Sequence, residues 1–362
     1  MGTTFFKMLL ALFLLSACAP TSTRIPGSVS SPVSSIVGAL PVPYANNAVA
    51  LSIDEGRATA WSFNGLRTGK TWQDTSREAY SCDLGTGICE TASGPPVDEG
   101  RLASVAVTLG NKIYLFGGYT VAEDGGEVST PEVFAFDPRT GVYDRLPDMP
   151  TPVDDMVALV HQDRYIYLIS GWHNEGNVSL VQVYDSAEQR WFEATPYPGA
   201  PVFGHAGGGV DGKVVIADGV AVTAVVAGKR QFGPVDEAWF GEIDDNDPSL
   251  IAWTRLPPHP NGPLYRMAAV GDRLHQRIVF YGGADNPYNY DGIGYDGVPA
   301  NASDLLFAYD LGSGQWITLG RTGKPSMDHR GLIVFDEAYW TLGGMNDQRE
   351  VTGELVRIDI ED

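Results

Sequence analysis

At 362 residues, 43% of them hydrophobic and 10% aromatic, the chain has ample apolar surface for a large buried core, which excludes disorder throughout. Its 45 acidic residues against 24 basic ones give a net charge of −21, and with no basic stripe in the sequence nucleic acid is excluded as a partner. Such acidity serves solubility or draws cationic ligands. The 43 Gly and 24 Pro are spread without a collagen period, as in a chain of many short strands joined by turns.

At the N-terminus Lys7 precedes an apolar run, Met8 to Leu15, and then Ser16-Ala17-Cys18. The run is too short to span a bilayer as a mature helix and ends at a small-residue cleavage site, so residues 1–17 are predicted to be a signal peptide. Leu15-Ser16-Ala17-Cys18 resembles the bacterial lipoprotein box. That resemblance implies acylation of Cys18, with several acyl chains holding the chain firmly to a membrane. Residues 18–35 are rich in Ser, Thr, Pro and Gly and read as a flexible tether. Ala19 and Pro20 supply no Asp to retain the lipoprotein at an inner membrane. The expected location is the outer membrane, facing the periplasm.

From residue 36 onward one pattern repeats. An apolar strand ends in a Gly-containing pair at Ile113–Gly118, Ile166–Gly171, Val214–Gly219, Ile278–Gly283 and Tyr339–Gly344, with a degenerate copy at Ala60–Gly65. The spacing, roughly 50 to 60 residues, is that of a propeller blade. A second signal follows each pair. An aromatic-Asp step is answered by another aromatic, as in Phe136-Asp137 with Tyr143, Tyr184-Asp185 with Trp191, and Tyr309-Asp310 with Trp316. Turn sequences such as Pro138-Arg139-Thr140-Gly141 and Gly312-Ser313-Gly314 between them suit tight hairpins.

These residues resemble the Kelch repeat, with its double glycine, Tyr-Asp step and spaced Trp. The resemblance implies an all-β fold, one six-bladed propeller over residues 36–362, each blade a four-stranded antiparallel sheet. No outer strand follows Ile358-Asp359 in the last copy. Leu40-Pro41-Val42-Pro43 repeats the form of Leu146-Pro147-Asp148-Met149-Pro150, which closes an outer strand elsewhere. The stretch around Ile36 to Leu40 is therefore expected to complete the last blade and lock the ring.

Cys82 and Cys89 flank Asp83-Leu84-Gly85-Thr86-Gly87-Ile88, in the places that Tyr309 and Trp316 hold in their own hairpin. Two paired positions changed together to cysteine in an exported chain read as a cross-strand disulfide. The gap between them and the lack of a nearby His argue against a metal or redox pair. No metal or cofactor motif is present, and a monomer is expected.

Ligands of propellers sit at one mouth of the central channel, lined by the starts of the inner strands and the loops after the Gly pairs. The inner-strand starts carry Asn46, Asn47, Arg101, Asp154, Asp155, His205, Arg266, His329 and Arg330. The loops add Trp172, His173, Asn174 and Glu175, an acidic Gly-rich stretch from Tyr119 to Thr130, and a long segment with Tyr288, Asn289, Tyr290, Tyr295 and Asp296. Tyrosines interleaved with Asp and Asn suit sugars, because rings stack on C–H faces while carboxylates and amides take hydroxyls. The ligand-binding candidates are thus Arg101, Asp155, Trp172, His173, His205, Arg230, Arg266, Tyr288, Tyr290, His329 and Arg330, for a carbohydrate or protein ligand.

Among Kelch proteins the sequence is similar to the exported bacterial sialic acid mutarotases (N-acetylneuraminate epimerases). The likeness lies in Val214–Gly219 with its following loop, in Leu256-Pro257-Pro258, and in Gly282-Gly283-Ala284 with the Tyr/Asn/Gly loop after it. That family is thought to use an acid directly after the Gly-ending strand of a middle blade, with an arginine nearby. Here the stretch reads Ala217-Asp218-Gly219-Val220, without an acid at that point, and Arg230 or Lys229 would take the cationic role. The resemblance leaves Asp218, Asp155 or Glu237 as base, His205 as partner, and Arg266 or Arg330 to hold a substrate carboxylate. A copper radical oxidase would need a cysteine crosslinked to tyrosine, which the expected Cys82–Cys89 bridge precludes.

Overall fold

The computed structural model describes residues 1–2 and 31–360. Residues 3–17 of the expected signal peptide, Cys18 and most of the expected tether lie outside the described residues. Among those described, no helix is long and apolar enough to cross a membrane.

Six four-stranded antiparallel sheets follow one another around a central channel. Blade 1 runs Ala48–Asp54, Arg57–Leu66, Thr75–Asp83 and Cys89–Ala92. Blades 2 and 3 begin at Val105–Leu109 and Val157–His161, blades 4 and 5 at Ala206–Val210 and Ala268–Asp272. Blade 6 takes Ile333–Phe335, Ala338–Leu342 and Glu354–Asp359 from the C-terminal end and its outermost strand, Val33–Ala39, from the N-terminal end. Val33 faces Asp359 and Ala39 faces Glu354. The closing strand begins three positions before residue 36, where the folded part was expected to start.

Neighbouring blades stack face to face, so their middle strands are buried on both sides. Those strands therefore read as continuous apolar runs, such as Ile166–Ile169 and Ile278–Tyr281, while the outer strand Val142–Leu146 stays largely exposed. The spaced aromatics are cross-strand partners: Tyr184 faces Trp191 and Tyr309 faces Trp316. Each indole then donates to the preceding blade, Trp191 Nε1 to Pro147 O at 3.0 Å and Trp316 Nε1 to Pro257 O at 2.8 Å. The Leu-Pro segments thus receive the tryptophans. Cys82 faces Cys89 in the same register and the two form a disulfide.

Both residues of every Gly-containing pair have positive φ, including Asn64, Ser170 and Asp218 at the first position. The second is glycine in all six copies because the backbone there runs against the segment leading into its own blade's inner strand. A Cβ on Gly118 would lie 2.7 Å from Leu102 O, and one on Gly219 2.8 Å from His205 Cβ. This tight passage brings the loops after the pairs over one mouth of the channel.

Candidate functional site

Just before each inner strand stands one residue with positive φ: Asn46 (57°), Ala103 (54°), Asp155 (53°), Gly204 (61°), Arg266 (55°) and Asp328 (67°). They form the throat of the channel. Their backbones are stitched blade to blade: Asp155 N donates to Ala103 O at 3.1 Å, Gly204 N to Asp155 O at 3.0 Å, and Arg266 N to Gly204 O at 2.8 Å. Between blades 1 and 2 a side chain substitutes, and Asn46 Oδ1 accepts from Ala103 N at 2.6 Å.

The throat side chains that carry charge bond to one another. Asp155 Oδ2 accepts from Arg266 Nε at 3.1 Å and its second terminal nitrogen at 2.8 Å, while Oδ1 lies 3.2 Å from an Arg330 terminal nitrogen. Arg266 also reaches Asp328 Oδ1 at 3.2 Å and the Asn289 carbonyl at 2.5 Å. Burial alone would raise the Asp155 pKa, yet Arg266 and Arg330 hold it below the usual carboxylate range. Burial does raise Asp328, against the same two arginines. This network is a septum across the molecule's axis. Below it runs a channel of about 310 Å³, between inner strands and lined near the septum by His205, His329 and Arg330. Above it opens a cup of about 360 Å³.

Insertions after the Gly pairs of blades 2 to 5 build the cup. Hairpins at Tyr119–Ser129, Trp172–Asn177 and Val220–Pro234 stand beside the long segment of blade 5. One wall is aromatic. Trp172, Phe203 and Phe232 pack mutually at 5.5 to 5.9 Å between centroids, and Tyr295 stacks on Phe232 at 4.2 Å. Arg230 lies over Trp172 at 5.3 Å. Glu127, Ser129, Asn174 and Asn289 add polar groups to the lining, and Asp154, Asp155 and Arg266 reach it from the throat. Asp154 Oδ2 accepts from Ser129 Oγ at 2.6 Å, and Glu127 Oε1 from Asn289 Nδ2 at 2.7 Å. Burial raises the pKa of Asp154 well above the usual carboxylate range, and desolvation raises that of Glu127 as well.

Of the residues singled out in the sequence, the cup brings together Asp155, Trp172, Arg230 and Arg266. His205, His329 and Arg330 line the channel on the other side of the septum. His205 Nε2 meets the Ile169 carbonyl at 2.9 Å and so carries the ring proton there, and burial lowers its pKa to about 4. The remaining candidates lie apart from the cup lining. Asp218 is buried against His259 Nε2 at 2.7 Å, and Glu237 pairs with Arg255 at 3.0 Å. Arg101 pairs with Glu132 at 3.0 Å, and His173 Nδ1 meets the Pro152 carbonyl at 2.5 Å. Tyr288 is fully buried behind Arg266, with Tyr290 packed on the same cluster.

Cup residues that the candidate set lacked include Glu127, Asp154, Phe203 and Phe232. Asp154 had a readable signal. The residue before each throat position is Ala45, Leu102, Phe203, Tyr265 or Met327 in five blades and Asp154 in the sixth. A charge at a position that is otherwise apolar stands out once the repeats are aligned in this register.

Residues 100–150, which span blade 2, match the Kelch motif. The chain is a Kelch-repeat β-propeller. It is 28% identical over 129 residues to Kelch-like protein 15 of Gallus gallus, covering 36% of this chain and 26% of the relative. The Mus musculus protein of that name is 26% identical over 243 residues, covering 66% and 37%. Kelch repeat and BTB domain-containing protein 13 of Homo sapiens is 32% identical over 133 residues, covering 36% and 28%. The propeller thus spans well under half the length of these curated relatives. Among solved structures it is similar to YjhT, with a TM-score of 0.70 at 16% identity over 91% of this chain and 98% of that one. At that identity the likeness is one of fold.

Proposed function

We propose that this propeller is a lipid-anchored protein of the cell envelope that binds a carbohydrate in the cup. The observation that carries the reading is the cup's mixed lining, an aromatic cluster together with carboxyls and amides. Aromatic faces suit the C–H faces of sugar rings, and the carboxyls and amides of the same lining suit hydroxyls. The fold is consistent with anchoring. The closing strand begins at Val33, opposite Asp359, at the blade end away from the throat. A tether entering there leaves the cup pointing away from the membrane.

The test is a glycan array probed with the ring beginning at residue 31. Saturable binding to a defined glycan set, lost in Trp172→Ala, supports the reading. A blank array, with capture of a protein partner through the same face, contradicts it.

A second reading, a mutarotase-like sugar isomerase, draws on Asp154. A buried carboxyl with a raised pKa is suited to donate a proton to a sugar's ring oxygen, while a second carboxyl, Glu127, takes one from the anomeric hydroxyl. Freshly dissolved α-anomers followed by NMR test it. An equilibration rate unchanged by the protein ends it.

A further inference from the structure

The carboxyls of the molecule's axis fall into two groups. Those of the septum are matched: Asp155 by Arg266 and Arg330, and Asp328 by Arg266. The two that face the cup are not. Among the described residues neither Glu127 nor Asp154 forms an ion pair, and each has one side-chain donor, Asn289 or Ser129. Asp154 is only 3% exposed and lines the cup, and its Oδ1 accepts no hydrogen bond among the described residues. Ionising the buried Asp154 without a counter-charge is costly, and a cation arriving from outside offsets that cost, with the exposed Glu127 on the same cup. The aromatic cluster of the same cup, Trp172–Phe203–Phe232–Tyr295, adds π faces that also favour a cation. The cationic side chains in the cup's lining are engaged elsewhere. Arg266 is held in the septum, and Arg230 lies over Trp172 with Glu175 at 3.4 Å.

We propose that the sugar bound in the cup is an amino sugar with a free ammonium group, held by Glu127 and Asp154 against the aromatic wall. This rests on the carbohydrate reading and narrows its substrate class. It also departs from the sugar acid that the mutarotase resemblance implies. An acidic cup set in a chain of net charge −21 disfavours a ligand carboxylate and steers an ammonium toward it.

The test titrates the purified chain with glucosamine, N-acetylglucosamine and glucose oligomers of equal length, and with galacturonic acid oligomers, by calorimetry. The expected result is that glucosamine oligomers bind at least about tenfold more tightly than acetylated or neutral ones, as one charge-assisted hydrogen bond suffices to produce. Glu127→Gln, on an exposed hairpin, and the isosteric Asp154→Asn each narrow that margin by on the order of tenfold. Added salt weakens glucosamine binding in the unmodified protein. Equal affinity for the acetylated and free-amine oligomers overturns the inference and leaves the carbohydrate reading standing. Preference for galacturonic acid oligomers overturns it as well. Absence of binding to every oligomer overturns both.

Discussion

Asp155→Asn withdraws one negative charge from the septum while preserving its shape. Arg266 and Arg330, both nearly fully buried, then share Asp328 as their remaining carboxylate. Removing one partner of a buried ion network costs about 3–5 kcal/mol, because the charges left behind are desolvated and uncompensated. The folded part contains about 330 residues, for which the entropy of unfolding is roughly 0.7 kcal/mol/K. A loss of about 4 kcal/mol therefore lowers the melting temperature by roughly 6 °C. Differential scanning calorimetry at pH 7 measures this directly. Asp328→Asn is the internal comparison. Burial raises the pKa of that carboxyl rather than lowering it, so its removal costs less. A change of under about 1 °C for Asp155→Asn, or an equal loss from both substitutions, refutes the assignment of Asp155 as the charge that holds the septum.

Three further outcomes follow from the same geometry. Burial holds His205 near pKa 4, below the ordinary 6.5, so the unfolded chain binds the extra proton in that window; stability falls as pH drops from about 6.5 toward 4, by about 3 kcal/mol at the lower end. Melting curves of His205→Gln should lose that share of the acid sensitivity, and superimposable profiles would refute it. Reducing the Cys82–Cys89 bridge, which closes a loop with a sequence separation of 7, should cost about 2.5 kcal/mol, read as a shift of roughly 3–4 °C with and without reductant. Deleting Val33–Ala39 leaves Glu354–Asp359 as an unpaired edge; size-exclusion chromatography should show association or aggregation, and an unchanged monomer would contradict closure by that strand.

The ring was legible because its signals are periodic and local. Each Gly-containing pair, aromatic-Asp step and spaced Trp is fixed by contacts that every blade repeats, so six imperfect copies reinforce one another. The disulfide was legible for the same reason, since Cys82 and Cys89 occupy a register that Tyr309 and Trp316 define in another blade. The cup was harder to read, because insertions differing from blade to blade build it. Trp172 and Arg230 stood out by chemistry. Phe203, just before an inner strand, and Phe232, on the Val220–Pro234 hairpin, carry no such signal, and only the fold packs them together. Register mattered at the throat too. Arg101 lies two positions before the throat residue of its blade, while His205 and His329 lie one after theirs, and those offsets turn the side chains away from the cup. Asp155 and Arg266 sit at the throat itself and reach it.

Saturation-transfer difference NMR on the ring beginning at residue 31, with a panel of neutral, amino and acidic sugars, tests most directly whether the cup holds a carbohydrate. The account predicts transfer to the ring C–H protons of at least one sugar, abolished in Trp172→Ala and Phe232→Ala while both variants stay folded. Transfer to no sugar, or transfer that survives both substitutions, would contradict it.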